Sequence, residues 1–261
     1  MRFDIIRSIH IYITVLVLMG ACVLSVNADL KDPTLSVYYS FDEEGKTIED
    51  GSLNGNDGTL EGNTDWEEGV IGKAIKLENS VWINMNGPEF ENGPVDGFTL
   101  AVWVNHTGSA NPQTLLDAIG GGHASGLYHM EIRPAGFRFF HRDNANTEVF
   151  NINPGPVIEA NKWVHFAGTY DSDSGDVKTY IDGEETHSGK GNGKLSGDWS
   201  VTAGIGHHKN DRWYVGLLDE YYLFGRALSE DEINQVKDGG FLDVKPADKL
   251  TTTWGNIKAQ L

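Results

Sequence analysis

The chain has 261 residues, with 20 Lys and Arg against 38 Asp and Glu, a formal net charge of −18. Such acidity disfavours nucleic-acid backbones and anionic membrane surfaces; it favours cations and neutral ligands, or simply keeps a protein soluble. Cys22 is the sole cysteine, which excludes a disulfide framework, and once a leader is removed it excludes thiol chemistry too.

The first 28 residues read as a secretory signal peptide. Arg2 and Arg7 form a charged start, residues 9–26 are nearly all apolar, and Val26-Asn27-Ala28 supplies small residues for cleavage. Two other readings stay open: a leader retained as a membrane anchor, and lipidation of Cys22 through the imperfect box Met19-Gly20-Ala21-Cys22. Each places the protein outside the cytoplasm, secreted or held at the cell surface. A membrane partner enters only through an uncleaved leader or a lipidated Cys22.

Short apolar runs rich in Val, Ile, Tyr, Phe and Trp follow, separated by turn residues, the pattern of an all-β domain. The predicted strands are 37–41, 74–77, 81–85, 98–106, 127–132, 137–141, 163–170, 177–181, 200–206 and 215–224. Ile75 and Leu77, then Val81, Ile83 and Met85, alternate with period two around Glu78-Asn79-Ser80 and predict a hairpin. Phe98–Val104 is apolar on both faces and predicts a central strand covered on both sides. Asp182-Gly183 predicts a tight type I′ turn. Ser229 and Glu232 have the spacing of a capping box and predict a helix over 230–236, ended by Gly239-Gly240. Pro246 breaks any continuation, so 241–261 reads as a tail. The fold class is all-β, a two-sheet antiparallel jelly-roll sandwich over residues 32–240 with one short C-terminal helix.

Several ordered motifs resemble a known family. They are Tyr39-Ser40-Phe41-Asp42, the turn from Asp50 through Leu53-Asn54-Gly55-Asn56-Asp57-Gly58-Thr59-Leu60, Phe98–Val104, Trp163–Asp171, Tyr180-Ile181-Asp182-Gly183, and Leu218-Asp219-Glu220 through Arg226-Ala227-Leu228-Ser229. In that order they resemble the laminin-G-like jelly-roll domains of the concanavalin A-like lectin and glucanase superfamily. The turn departs from the family pattern in having Leu53 where Gly is common. The resemblance implies a jelly roll and a tendency to bind glycans or extracellular proteins. Similar domains often hold a structural calcium, which carried onto this sequence gives Asp42, Asp50, Asn54 and Asp219 as metal ligands. The competing reading has Asp50 and Asn54 making Asx turns, and Asp42 and Asp219 pairing with Arg226 or capping backbone N–H groups.

Three chemistries compete for the remaining residues. A glucanase needs two carboxylates about 5–5.5 Å apart in a retaining enzyme, and no E-x-D-x-E strand occurs; Glu131 stands alone on its strand, with Arg133 two positions on. Zinc has no recognised ligand spacing, and adjacent His207 and His208 point to opposite faces of a strand. Sugar binding needs aromatic faces beside polar groups. The stretches 120–144 and 207–213 supply Tyr128, His129 and His141, and His207, Arg212 and Trp213. The expectation is an exported, non-catalytic module for an extracellular glycan or protein, with calcium as its cofactor. A glycan-cleaving enzyme and a purely structural adhesion module are the alternatives.

Overall fold

The computed structural model describes residues 30–86, 90–118, 128–196, 203–208 and 211–240. The leader and the C-terminal tail expected from the sequence lie outside these residues. In chain order the strands begin with β1 (Leu35–Tyr39), β2 (Thr47–Ile48), β3 (Gly58–Glu61), β4 (Trp66–Glu68), β5 (Lys73–Leu77), β6 (Trp82–Asn84), β7 (Gly97–His106) and β8 (Gln113–Ala118). They continue with β9 (Tyr128–Ile132), β10 (Arg138–Arg142), β11 (Glu148–Ile152), β12 (Val164–Asp171), β13 (Asp176–Ile181), β14 (Glu184–Lys190), β15 (Gly204–Ile205) and β16 (Gly216–Phe224). One helix follows, α1 (Glu230–Lys237).

The first sheet runs β14-β13-β12-β7-β16-β5-β4, and β1 lies beside β16. The second runs β11-β10-β9-β8-β15-β6-β3-β2. Every pairing in both is antiparallel, so the fold is the expected two-sheet jelly-roll sandwich. The core between the sheets takes alternate residues from each, including Phe98, Leu100, Val102 and Val104 from β7 and Tyr128, Met130 and Ile132 from β9. Period-two side-chain direction makes this possible. Gly168 faces Phe139, and a Cβ there would sit 2.5 Å from that ring. A bare backbone on β12 is therefore what lets the opposite sheet pack this closely.

A second, smaller cluster covers the outer face of the first sheet. Leu228, Ile233 and Val236 of the helical segment pack on Ala101, Ala167, Tyr180, Tyr222 and Phe224. The central strand β7 is thus buried on both sides, as its apolar run predicts. The capping box is present: Ser229 Oγ accepts from Glu232 N, and the Glu232 carboxylate accepts from Ser229 N at 2.8 Å. Asp182 and Gly183 both have positive φ, 53° and 89°, and close the tight β13–β14 turn.

The structure corrects one expectation directly. β5 and β6 are not a hairpin; β5 pairs with β16 and β4 in the first sheet, and β6 pairs with β3 and β15 in the second. Both strands point their apolar residues at the same core from opposite sides, and alternation alone cannot separate that from a hairpin.

Candidate functional site

The two sheets differ in what covers their outer faces. On the second sheet, polar side chains of β8, β9 and β10 cover one another, joined by the segment after β15. Asp117 and His129 are direct cross-strand partners, so their side chains rise from the same face. Glu131 follows two residues on, and Arg138, Phe140 and Arg142 alternate outward along β10 while Phe139 faces the core. Asp117, His129, Glu131 and His208 are all at most 7% exposed.

Glu131 is the electrostatic centre of this face. Arg133 Nε donates to its Oε2 at 2.9 Å, and Arg212 Nη1 donates to Oε1. Burial alone would raise the pKa of this carboxyl, but His129 and the two guanidiniums outweigh it and hold Glu131 well below the usual carboxylate range. Burial pushes His129 down, against the pull of Glu131. Arg138 and Arg142 stack on Phe140 from 4.2 and 4.8 Å. Of the five arginines among the described residues, only Arg226 lies elsewhere, pairing with Asp32 and Glu232.

Beside these charges stands a half-buried aromatic row. His207 stacks on Trp213 at 4.2 Å and 22°, and Trp82 meets His207 at 5.1 Å. Trp82 lies across Gly204, where a Cβ would come within 2.7 Å of its ring. Burial lowers the pKa of His207, with Asp211 opposing.

The structure therefore gathers His129, His207, Arg212 and Trp213 on one face. Tyr128 and His141 are not there. Both are fully buried and point into the inter-sheet core, Tyr128 stacking on Phe98 and His141 Nε2 accepting from Ser196 N at 3.0 Å. Strand alternation is the reason: in β9, His129 faces outward and Tyr128 inward. Sequence reasoning missed Asp117, Trp82 and Arg138. The outward phase of β10, Arg138, Phe140 and Arg142 at every second residue, is the signal that could have found Arg138.

The four carboxylate and amide groups expected to bind calcium differ in their hydrogen-bond partners. Asp50 spends both oxygens on the turn, accepting from Tyr38 N, Ser52 N, Ser52 Oγ and Asn56 N. Asn54 donates to Leu35 O and accepts from Asn92 Nδ2. These are the Asx-type interactions of the competing reading. Asp42 and Asp219 are different. Asp219, 0% exposed, accepts from Val70 N and Ile71 N through Oδ2, while its buried Oδ1 has no hydrogen-bond partner. Asp42 Oδ1 accepts from Lys73 N at 2.8 Å. Burial pushes Asp219 up to about 7, and the charge of Asp42 adds to that. Neither residue pairs with Arg226.

Clefts among the described residues are modest. One of about 140 Å³ lies between Tyr38 and Gly51, and one of about 380 Å³ is lined by His106, Gln113 and Arg133. Neither holds the aromatic row.

The laminin-G profile of the concanavalin A-like lectin/glucanases superfamily matches residues 79–234, more than half of the chain. The chain belongs to that superfamily. No curated protein sequence matches it. Among solved structures, it is similar to domain 4 of AbnA, a GH43 extracellular arabinanase from Geobacillus stearothermophilus in complex with arabinotriose. Identity is 21% and the TM-score 0.61, over 78% of this chain and 98% of that one. The binding domain of Paraclostridial Mosquitocidal Protein 1 aligns at 18% identity and TM-score 0.60, over 82% of this chain and 54% of that one. The binding domain of botulinum neurotoxin DC in complex with SialylT aligns at 17% and 0.58, over 79% and 52%. This superfamily member thus spans about half the length of the toxin domains it matches, and at these identities the likeness is one of fold.

Proposed function

We propose that this protein is an exported, non-catalytic glycan-binding module and that the outer face of the second sheet is its binding surface. The observation that carries this reading is the aromatic row Trp82–His207–Trp213 beside Arg212. Sugars stack their apolar CH faces on aromatic rings and need fixed donors for their hydroxyls. Four arginines on one face of a chain with net charge −18 make this face the local exception, so sugars carrying a carboxylate or sulfate are favoured. The arabinotriose and SialylT complexes of similar folds support the glycan class.

The carboxylates favour a non-catalytic module. A glycosidase general acid needs a raised pKa and access to the glycosidic oxygen. Glu131 is buried and held ionised by two arginines. Asp219 and Glu220 are pushed up to about 7 by burial, but both are at most 1% exposed; Asp219 binds the 70–71 backbone, and Tyr38 and Tyr222 donate to Glu220.

A structural calcium fits Asp42 and Asp219 better than the wider set. The orphaned Asp219 Oδ1 and the nearby Asp42 carboxylate supply hard oxygen donors, and Asp50 and Asn54 are committed to their turn. Such an ion would relieve the repulsion between two carboxylates and fix the 69–73 turn against β16.

A glycan array with the full chain tests the main reading. Wild type should bind a defined set of glycans, and Trp213→Ala should lose that signal with its thermal melt little changed. An array blank for the wild type, or binding untouched by Trp213→Ala, would overturn it.

A further inference from the structure

We propose that Asp117, His129 and His208 form a binding site for a zinc-class transition-metal ion. The donors come from β8, β9 and the segment after β15, and their ligand atoms all lie within 4.8 Å of one another. His129 Nδ1 stands 3.9 Å from Asp117 Oδ1, and His208 Nε2 stands 3.8 Å from Asp117 Oδ2. Zinc held at about 2.1 Å by tetrahedral ligands spaces them about 3.4 Å apart. Closing from the observed spacing asks for small side-chain rotations and no movement of the sheet.

A second observation points the same way. His129 Nδ1 is buried, has no hydrogen-bond partner and is aimed into the cluster. A buried nitrogen left without a partner costs free energy that a metal bond would recover. Two imidazoles and one carboxylate match zinc and its neighbours in the transition series, whereas calcium takes oxygen ligands. Glu131 Oε1 is 3.8 Å from His129 Nδ1 but accepts from Arg212, while Oε2 accepts from Arg133, so this carboxylate neighbours the ion without ligating it.

Geometry also explains why the sequence hides this set. Asp117 and His129 are 12 positions apart yet paired across the sheet, while His208 returns over them four residues after Gly204, itself the register partner of Asp117. The ion would pin this return to the sheet and so fix the neighbouring His207. The site stands whether or not the face binds glycan.

The test uses the full chain, stripped with a chelator and titrated with zinc chloride by calorimetry, and with cobalt(II) by visible absorption. Wild type should bind one equivalent of zinc and show the d–d bands of nitrogen-coordinated cobalt, while calcium should not compete. His129→Ala and His208→Ala should each weaken binding by more than the about 10–100-fold typical of changes outside the ligand shell. His187→Ala, on the exposed strand β14, should leave it unchanged. Failure of wild type to bind zinc stoichiometrically would overturn the assignment, as would calcium displacing the cobalt. Should an alanine variant not fold, His208→Gln replaces it, and retained tight binding there would also refute the site.

Discussion

His165 lets the burial argument be tested in energy units. It lies on β12 opposite Trp103, fully buried, with its ring edge-on to that indole at 5.3 Å. Neither ring nitrogen has a hydrogen-bond partner. Burial, with the positive charge of Lys237 adding to it, pushes its pKa down to about 3. The unfolded chain titrates this ring near 6.5, so between pH 6.5 and 3 the unfolded state binds more protons than the folded one. The stability His165 contributes is therefore complete above 6.5 and is lost as pH falls. Integrating from pH 7 to pH 5 gives a loss of about 2 kcal/mol, whatever the folded value as long as it stays well below 5. His165→Leu removes the titration and the two unsatisfied nitrogens at similar volume, and should gain about 1 kcal/mol at pH 7. Urea unfolding of both proteins at pH 7, 6 and 5 isolates the effect, because carboxylates common to both cancel in the difference. That difference should change by about 2 kcal/mol across the range. A flat difference would mean that His165 is protonated or solvated in the fold, and the reasoning would fail.

Two further predictions concern the carboxylates. Glu131→Gln leaves Arg133 and Arg212 facing each other without their shared anion; because both arginines can still reach water, the cost should be about 2 kcal/mol in urea unfolding, below the 3–5 typical of a fully buried pair. Arg212→Ala should cost less, since Arg133 still neutralises Glu131, and a larger loss would contradict the shared-anion account. Calcium at one hundred times its dissociation constant should stabilise the chain by about 2.7 kcal/mol, and Asp219→Asn should abolish that gain while Asp50→Asn leaves it; an unchanged melting curve on adding calcium would remove the ion from the account.

Much of the fold was legible because its signals are local. The capping box at Ser229 and Glu232, the Asp182-Gly183 turn and the doubly apolar Phe98–Val104 each act over a few residues, and each appears as read. What escaped were elements lacking such a signal. Strand β14, Glu-Glu-Thr-His-Ser-Gly-Lys, is exposed at every position and pairs along its ladder with β13. The β5–β6 connection escaped because side-chain alternation is blind to which sheet a strand joins. At the candidate site, aromatic composition pointed to the right segments, but one residue of phase separates outward His129 from inward Tyr128. Asp117 became visible only when the register of β8 against β9 placed it opposite His129.

The contrast between the two outer faces bears on where function resides. The first sheet closes its outer face in the usual way, with Leu228, Ile233 and Val236 over Ala101, Ala167 and Tyr222. The corresponding region of the second sheet buries Asp117, His129, Glu131 and His208. Ionic and imidazole groups placed there cost desolvation that apolar residues of the same volume would not incur, and buried ion pairs seldom repay it in stability. A fold selected for stability alone would cover β8, β9 and β10 as it covers β7, β12 and β16. The polar set is better explained by something it must hold, and the two tests on this face separate the candidates: Trp213→Ala reads the sugar, and His208→Ala reads the ion.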